Sequence, residues 1–137
     1  MVGRFCKQRE SPELMKNIFL VMAGGAVGVL LRYLIGIAVN SEKFPVATFL
    51  INILGSFIIG CAFAYTFQAE KNATLIKLIV MSGFCGGFTT FSAFSLENLI
   101  ALQHGKFFTV ILYSIGSVVG GIAACFAGFK ILNLLNG

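Results

Sequence analysis

The sequence predicts an all-α membrane protein whose chain crosses the bilayer four times. Of its 137 residues, 58% are hydrophobic and only 11% are charged, which is far from the composition of a soluble domain. Four apolar segments each reach the length of about 20 residues that a helix needs to cross a hydrocarbon core of roughly 30 Å. We therefore expect one domain, with a polar N-terminal tail at residues 1–16 and a four-helix membrane domain at residues 17–137.

The four spans are predicted at residues 17–39, 46–67, 75–102 and 107–132. The loops between them are short, so neighbouring spans run antiparallel. Small residues recur four positions apart within three of the spans, a spacing at which helix backbones approach closely in lipid. These pairs predict a tightly packed bundle rather than a binding site, and they are Gly24 and Gly28, Ser56 and Gly60, and Gly116 and Gly120.

The basic residues do not fix which side of the membrane the N-terminus faces. Seven of the ten Lys and Arg residues fall on the N-terminal side, but three of those seven, Arg4, Lys7 and Arg9, lie before Met15. Because Met15 closely precedes the first span, we hypothesise that the native chain starts there and that residues 1–14 are not translated. Without them the bias is four against three, too weak for the positive-inside rule to set one orientation. The chain is then able to insert both ways, and two inverted copies can form a pair.

The third span holds an unusually polar stretch, "GFCGGFTTFSAFSLE" at residues 83–97. Gly83, Gly86 and Gly87 each weaken a helix by up to about 1 kcal/mol relative to alanine, so we expect the helix to break there. A break frees backbone carbonyl and amide groups, which membranes tolerate only where protein buries them or a watery cavity reaches them. The carbonyls of Gly86 and Thr89 are therefore candidate ligands for a hard cation. A glycine kink sealed by neighbouring side chains is the alternative.

Two phenylalanines follow the predicted break. Phe91 and Phe94 are three apart, so they share one face of the resumed helix, with Ser92 beside it. Such a pair is more often plain packing, but rings presented edge-on can line a path for a small anion without any formal charge. Weak contacts in series let an anion leave, whereas a fixed positive charge would trap it.

Polar residues in two other spans can complete such a path. Asn52, in the second span, carries two amide donors, although a hydrogen bond between helices explains a lone membrane asparagine equally well. Tyr113 and Ser117, in the fourth span, lie four apart on one helical face. For Ser117 the alternative is a hydrogen bond to its own helix backbone.

Two charged residues lie within the spans. Arg32 reaches the far interface from the first span, where it either draws anions inward or extends to lipid phosphates. Glu97 follows the break and is expected to pair with an Arg or Lys near the membrane surface. We do not expect an enzyme, because the four cysteines are scattered and the one histidine, His104, lies in a loop.

The stretch at residues 83–97, together with "GGAVGVLLRY" at residues 24–33 and "FPVATFLINILGSFIIG" at residues 44–60, resembles the Fluc fluoride channels, also called the CrcB family. The motifs occur in order, and the resemblance covers about residues 15–132. It implies an antiparallel, dual-topology homodimer in the cell membrane, with two fluoride pores and one structural sodium ion at the two-fold axis. Pairing with a paralogue is the alternative assembly.

The resemblance also implies roles for individual residues. Backbone carbonyls of Gly86 and Thr89 would bind the sodium ion. The fluoride pore would be formed by Asn52, Phe91, Phe94, Tyr113 and Ser117, and the supporting polar or charged residues would be Arg32, Thr90, Ser92 and Glu97.

The predicted function is passive export of cytoplasmic fluoride, since the sequence contains no P-loop or other energy-coupling motif. The alternative from another class is a small four-helix multidrug transporter that exchanges protons for cationic drugs. Such a carrier needs a carboxylate in its first span, where this chain has Arg32. A membrane assembly subunit that transports nothing is the third candidate.

Overall fold

Four helices in the computed structural model are long and apolar enough to cross a membrane. The structure describes residues 11–39, 44–68 and 72–136, and all regular secondary structure in these ranges is helical. The prediction of an all-α protein with four spans is confirmed. The four membrane-length segments are Pro12–Ala38, Val46–Phe67, Ala73–Gln103 and Phe107–Leu135.

The first two spans are single helices, α1 at Ser11–Ala38 and α2 at Val46–Gln68. The third span consists of two helices. The first, α3, runs through residues 73–88, and its central part, Lys77–Cys85, is π-helical. The second, α4, covers Phe91–Gln103, and the fourth span is a single helix, α5, at Phe107–Asn136.

Helix α1 begins within the stretch predicted as a polar tail. Pro12 suits the first turn of a helix because its fixed φ angle matches the helical value, and Glu13 places a negative charge beside the positive end of the helix dipole. Residues 1–10 of the predicted tail lie outside the described part of the chain. At the other end of the bundle, His104 and Gly105 form the turn between α4 and α5, where Gly105 has a left-handed φ of 69°.

The bundle is built from two pairs of helices, α1 with α3 and α2 with α5. In the first pair, glycines bring the two backbones into contact. A Cβ atom added to Gly24 would meet the carbonyl oxygen of Ile79, and one added to Gly28 would meet that of Phe84. The predicted packing role of these two glycines is confirmed.

Helices α2 and α5 approach each other through glycines of both helices. Gly60 faces the backbone carbonyl of Cys125, and Gly128 faces that of Phe57. The Cys61 thiol donates to the carbonyl oxygen of Gly128 at 3.4 Å, which is possible only because the helices lie so close. Two further predicted small residues, Gly116 and Gly120, make room for side chains of α2 instead of its backbone.

The third span does break, but the break follows the glycines instead of including them. Gly86 has helical φ and ψ angles of −63° and −34°. The chain leaves the helical conformation at Thr89, with angles of −77° and 156°, and at Thr90, with −149° and 113°. The expectation that the glycines themselves unwind is therefore wrong.

Two of the three glycines in this stretch serve the contact with α1. A Cβ atom on Gly83 would lie 2.8 Å from the carbonyl oxygen of Val21, and one on Gly87 would lie 2.6 Å from that of Gly25. Both distances are too short for any side chain. Residues without side chains are therefore required on α3 so that α1 can approach it.

We predict that Gly28→Ala destabilises the protein by about 1–3 kcal/mol, the usual effect of overpacking a well-packed interface. The added methyl group would press on backbone atoms of Phe84 and Phe88, which cannot rotate away. The thermal unfolding midpoint in detergent measures the effect. Gly36→Ala is the matched control on the same helix, since nothing lies within 4 Å of a Cβ there. Equal midpoints for the two variants would contradict the close contact.

Candidate functional site

The break between α3 and α4 is held by a single side chain from another span. The Thr90 amide donates to Asn52 Oδ1 at 2.8 Å, and Asn52 Nδ2 donates back to the Thr90 carbonyl oxygen at 3.2 Å. Both hydrogen bonds replace helical bonds that the extended backbone cannot make. The interpretation of Asn52 as a partner in an interhelical hydrogen bond is therefore correct, and one N–H of its amide remains available to a further acceptor.

The first turn of α4 is capped by a threonine. Thr90 Oγ1 accepts from the Ala93 amide at 3.1 Å, which is the usual N-cap arrangement, and lies 3.2 Å from Ser92 Oγ. Thr90 is itself buried, at 8% exposure. Both predicted supporting residues thus contribute hydrogen bonds that order the start of α4.

These hydrogen bonds leave two carbonyl oxygens without their helical donors. The Gly86 carbonyl would accept from the Thr90 amide in a continuous helix, but that amide donates to Asn52. The Thr89 carbonyl would accept from the Ala93 amide, but that amide donates to the Thr90 hydroxyl. Within the described ranges, no other group donates to either oxygen. Gly86 and Thr89, the two residues predicted to bind a cation, are therefore among the residues at the break whose carbonyl oxygens have no donor within the described ranges.

An open cleft of about 370 Å³ lies beside the break. It brings together Asn52, Gly86, Thr89 and Phe91, and it includes Cys85 at its buried end. Phe91 is 79% exposed, so most of its ring is uncovered within this one chain. A cleft of mixed polar and aromatic character at membrane depth is unusual, because lipid cannot hydrogen-bond to backbone groups.

The aromatic residues after the break form a chain of ring contacts. The rings of Phe91 and Phe94 lie 5.6 Å apart between centroids, and those of Phe94 and Tyr113 lie 4.9 Å apart. Tyr113 in turn packs edge-on against Phe44, at 5.3 Å and an interplanar angle of 76°. The structure therefore brings both predicted phenylalanines together with Tyr113 of α5.

Glu97 is bound by hydroxyl groups. Its Oε1 accepts from Thr48 Oγ1 of α2 at 2.6 Å, and its Oε2 accepts from the Tyr113 hydroxyl at 2.7 Å. The expected ion pair with an Arg or Lys is absent from the described part of the chain. Two hydroxyls satisfy a carboxylate at this depth without requiring that a second charge also leave water.

The predicted polar track on α5 is not continuous within this chain. Tyr113 is 1% exposed and its hydroxyl donates to Glu97. The buried Oγ of Ser117 has no hydrogen-bond partner in the described part of the chain, so the alternative of a bond to its own helix is also not found. A buried hydroxyl without a partner is uncommon in proteins, and Ser117 retains a donor for a group that the described residues do not supply.

Arg32 does not line the open cleft. It lines a second cavity of about 420 Å³ together with Thr48, Thr90 and Ser92. Thr90 therefore contributes to both cavities. Among the described residues, no group of three or more His, Cys, Asp or Glu side chains is placed to bind a metal ion.

Comparison with known proteins settles the family. A sequence model described as CrcB-like protein, Camphor Resistance (CrcB), matches residues 19–129, which include the break and parts or all of each of the four spans. This chain belongs to the CrcB family. The resemblance in its three motifs is thereby confirmed.

Relatives of this CrcB chain match it over most of their length, and several carry the name Fluoride-specific ion channel FluC. The one from Gloeobacter violaceus is 42% identical over 120 residues, which are 85% of this chain and 95% of the relative. Those from Prosthecochloris aestuarii and Chlorobaculum tepidum are each 40% identical, over 87% and 88% of this chain and 94% and 98% of the relative.

Family membership and the four spans make this chain a multi-pass protein of the cell membrane. The relatives are named as ion channels, and the prediction that the chain is not an enzyme is confirmed.

Three polar residues of this CrcB chain were missed in the sequence. Thr48 binds Glu97, and its position one turn before Asn52 was the available signal. Asn98 and Ser114 form a hydrogen bond between α4 and α5 at 3.3 Å. Each directly follows a residue that was singled out, Glu97 or Tyr113, but nothing in their spacing indicates that they meet.

We predict that Asn52→Leu destabilises the protein by about 1–3 kcal/mol, because the Thr90 amide and carbonyl are then left unpaired away from water. Unfolding in detergent, followed by circular dichroism, measures the loss. Ser95→Ala is the control, since Ser95 is exposed and bonds only its own helix at the Phe91 carbonyl. If the leucine variant unfolds at the same midpoint as the wild type, Asn52 does not hold the break.

Proposed function

We propose that this chain forms a fluoride-selective channel through which the anion leaves the cytoplasm passively. The observation that carries the proposal is the break at Thr89 and Thr90, an extended polar segment within a span, with an open cleft and two phenylalanines beside it. Relatives of about 40% identity over 85% and 87% of this chain are named fluoride-specific ion channels. Fluoride enters acidified cells as the weak acid HF and dissociates inside, so a selective outward leak is sufficient for resistance.

The proposed path runs past Asn52, Phe91, Phe94 and Tyr113 towards Ser117. The free N–H of Asn52 and the unpartnered hydroxyl of Ser117 are donors that an anion can use in place of water. Between them the aromatic edges offer weaker attraction, so that the anion is bound but not trapped. Arg32, in the cavity that shares Thr90 with the open cleft, raises the local anion concentration.

The working unit is proposed to be two copies in inverted orientation, with one path associated with each copy. Two features support a partner: the cleft leaves backbone carbonyls of Gly86 and Thr89 open, and Phe91 is mostly exposed. Irregular backbone is tolerated at membrane depth only where protein buries it or where it lines a water-filled cavity, so this cleft needs a protein surface that shields it from lipid. A second copy supplies that surface, and a paralogous chain is the alternative partner.

A structural sodium ion is proposed at the axis between the two copies. The free carbonyls of Gly86 and Thr89 fit such an ion, because hard cations prefer oxygen ligands and these oxygens have no donor within the described residues. The described residues contain no acidic, His or Cys cluster that would favour a divalent or soft metal. Two carbonyls from each copy would place four oxygens around one cation.

Fluoride efflux from liposomes containing the purified protein tests the function. The liposomes are loaded with potassium fluoride, valinomycin carries the counter-ion, and a fluoride-selective electrode follows release. Fast fluoride release with negligible chloride release supports the proposal. Proton-coupled uptake of a cationic drug by the same liposomes, without fluoride release, would instead support the multidrug transporter, and no transport of either would support an assembly subunit.

We predict that Phe91→Ile and Phe94→Ile each reduce the rate of fluoride efflux by about tenfold, which corresponds to roughly 1.4 kcal/mol of lost attraction along the path. Isoleucine keeps the apolar volume but removes the polar ring edge. Phe126→Ile is the matched control, because Phe126 of α5 is 63% exposed and makes none of these ring contacts. Equal rates of efflux from all three variants would mean that Phe91 and Phe94 do not line the path.

We predict that sodium stabilises the assembled protein. While the site is nearly saturated, each tenfold decrease in sodium lowers stability by about 1.4 kcal/mol. Thermal unfolding in detergent is measured against sodium concentration, with choline keeping the ionic strength constant. Thr89→Val should retain the sodium dependence, because the proposed ligand is the backbone carbonyl. A midpoint independent of sodium, or a dependence lost in Thr89→Val, would contradict this site.

A further inference from the structure

Helix α4 has few apolar contacts to hold it in place. It carries Phe91 and Phe94, yet none of its 13 residues is buried within this chain. Apolar packing is also a weak source of helix association in lipid, because lipid tails are as apolar as the side chains. The position of α4 relative to α5 must therefore depend strongly on polar contacts.

Two adjacent pairs of side chains connect these helices. Glu97 accepts from the Tyr113 hydroxyl at 2.7 Å, and the following residue, Asn98, accepts from Ser114 Oγ at 3.3 Å. The two bridges are made by adjacent residues on each helix, Glu97 and Asn98 on α4 and Tyr113 and Ser114 on α5, so they hold one short stretch of α4 against α5. Glu97 also bonds Thr48 of α2, whereas the side-chain bonds of Asn98 stay within α4 and α5.

The orientation of the Asn98 amide is determined by its two partners. Its Nδ2 donates to the Phe94 carbonyl oxygen at 2.9 Å, and this carbonyl can only accept. The Oδ1 atom must therefore face the Ser114 hydroxyl, which can donate. One side chain thus joins the backbone of Phe94 to α5, at the residue next to Tyr113.

We propose that Asn98 is a positioning residue of the ion path, which holds the Phe94 ring against Tyr113 by bridging the Phe94 carbonyl to Ser114. The inference rests on the proposed channel function. The ring centroids of Phe94 and Tyr113 lie 4.9 Å apart, close enough for a small shift of α4 to change the contact. Asn98 does not itself need to contact the ion.

Single-channel recording in planar bilayers tests this role. The unitary fluoride current does not depend on how many molecules fold or insert, so it separates positioning from general stability. We expect Asn98→Leu to reduce the unitary current about threefold to tenfold, in keeping with the loss of interhelical hydrogen bonds in a membrane.

Ser114 provides the second arm of the experiment. Ser114→Ala removes the donor to Asn98, so it should reduce the unitary current as Asn98→Leu does. Ser114→Thr keeps a hydroxyl at this position, so its unitary current should be close to that of the wild type. The double variant Asn98→Leu/Ser114→Ala should be no worse than Asn98→Leu alone, because both changes break one bridge. Ser114→Ala removes only one oxygen atom and should disturb folding less. If Asn98→Leu does not fold, the comparison of Ser114→Ala with Ser114→Thr still tests the inference.

Thr66→Val is the control, since Thr66 Oγ1 makes a comparable bond to the Phe63 carbonyl on α2, away from the break. Wild-type current in Asn98→Leu, additive losses in the double variant, or an equal loss in Thr66→Val would each overturn the inference and leave the channel function standing. If the wild-type protein carries no fluoride current, the proposed function fails and this inference fails with it.

Discussion

The pair of hydrogen bonds between Asn52 and Thr90 is the interaction on which the rest of the site depends. An extended segment within a membrane span is unstable unless its amide and carbonyl groups find partners in protein. One amide side chain satisfies both groups of Thr90. Because the Thr90 amide is then unavailable to Gly86, the same interaction frees the Gly86 carbonyl, and it sets where α4 begins and so where Phe91 lies.

Much of the fold could be predicted because it follows from composition and spacing. The lengths of the apolar segments predicted the four spans. The spacing of four residues between Gly24 and Gly28 predicted that they pack against another helix, as they do in α1. The position of the break could not be predicted in the same way. Glycine propensity indicated residues 83–87, but the close approach of α1 keeps that stretch helical, and the break falls at two threonines whose partner lies 38 residues earlier in sequence.

In the candidate site, too, some residues could be predicted from the sequence and others could not. Gly86, Thr89, Phe91 and Phe94 were identifiable because they share one short motif, and the structure gathers them around the break. The partners of Glu97 were not identifiable, since Thr48 and Tyr113 belong to different spans and become neighbours only when α2 packs on α5. Hydroxyl groups are also common in membrane helices, so neither residue stands out in the sequence.

The π-helical stretch of α3 affects the depth at which the break lies. If residues 73–88 formed an ordinary α-helix, they would carry the chain about 24 Å into the membrane, beyond the centre of a hydrocarbon core of roughly 30 Å. A π-helix closes its hydrogen bonds over five residues and is wound more widely, so Lys77–Cys85 rises less for the same number of residues. The wider winding shortens α3 and places Thr89 and Thr90 closer to the midplane, where two inverted chains would present the same level of the bilayer to each other.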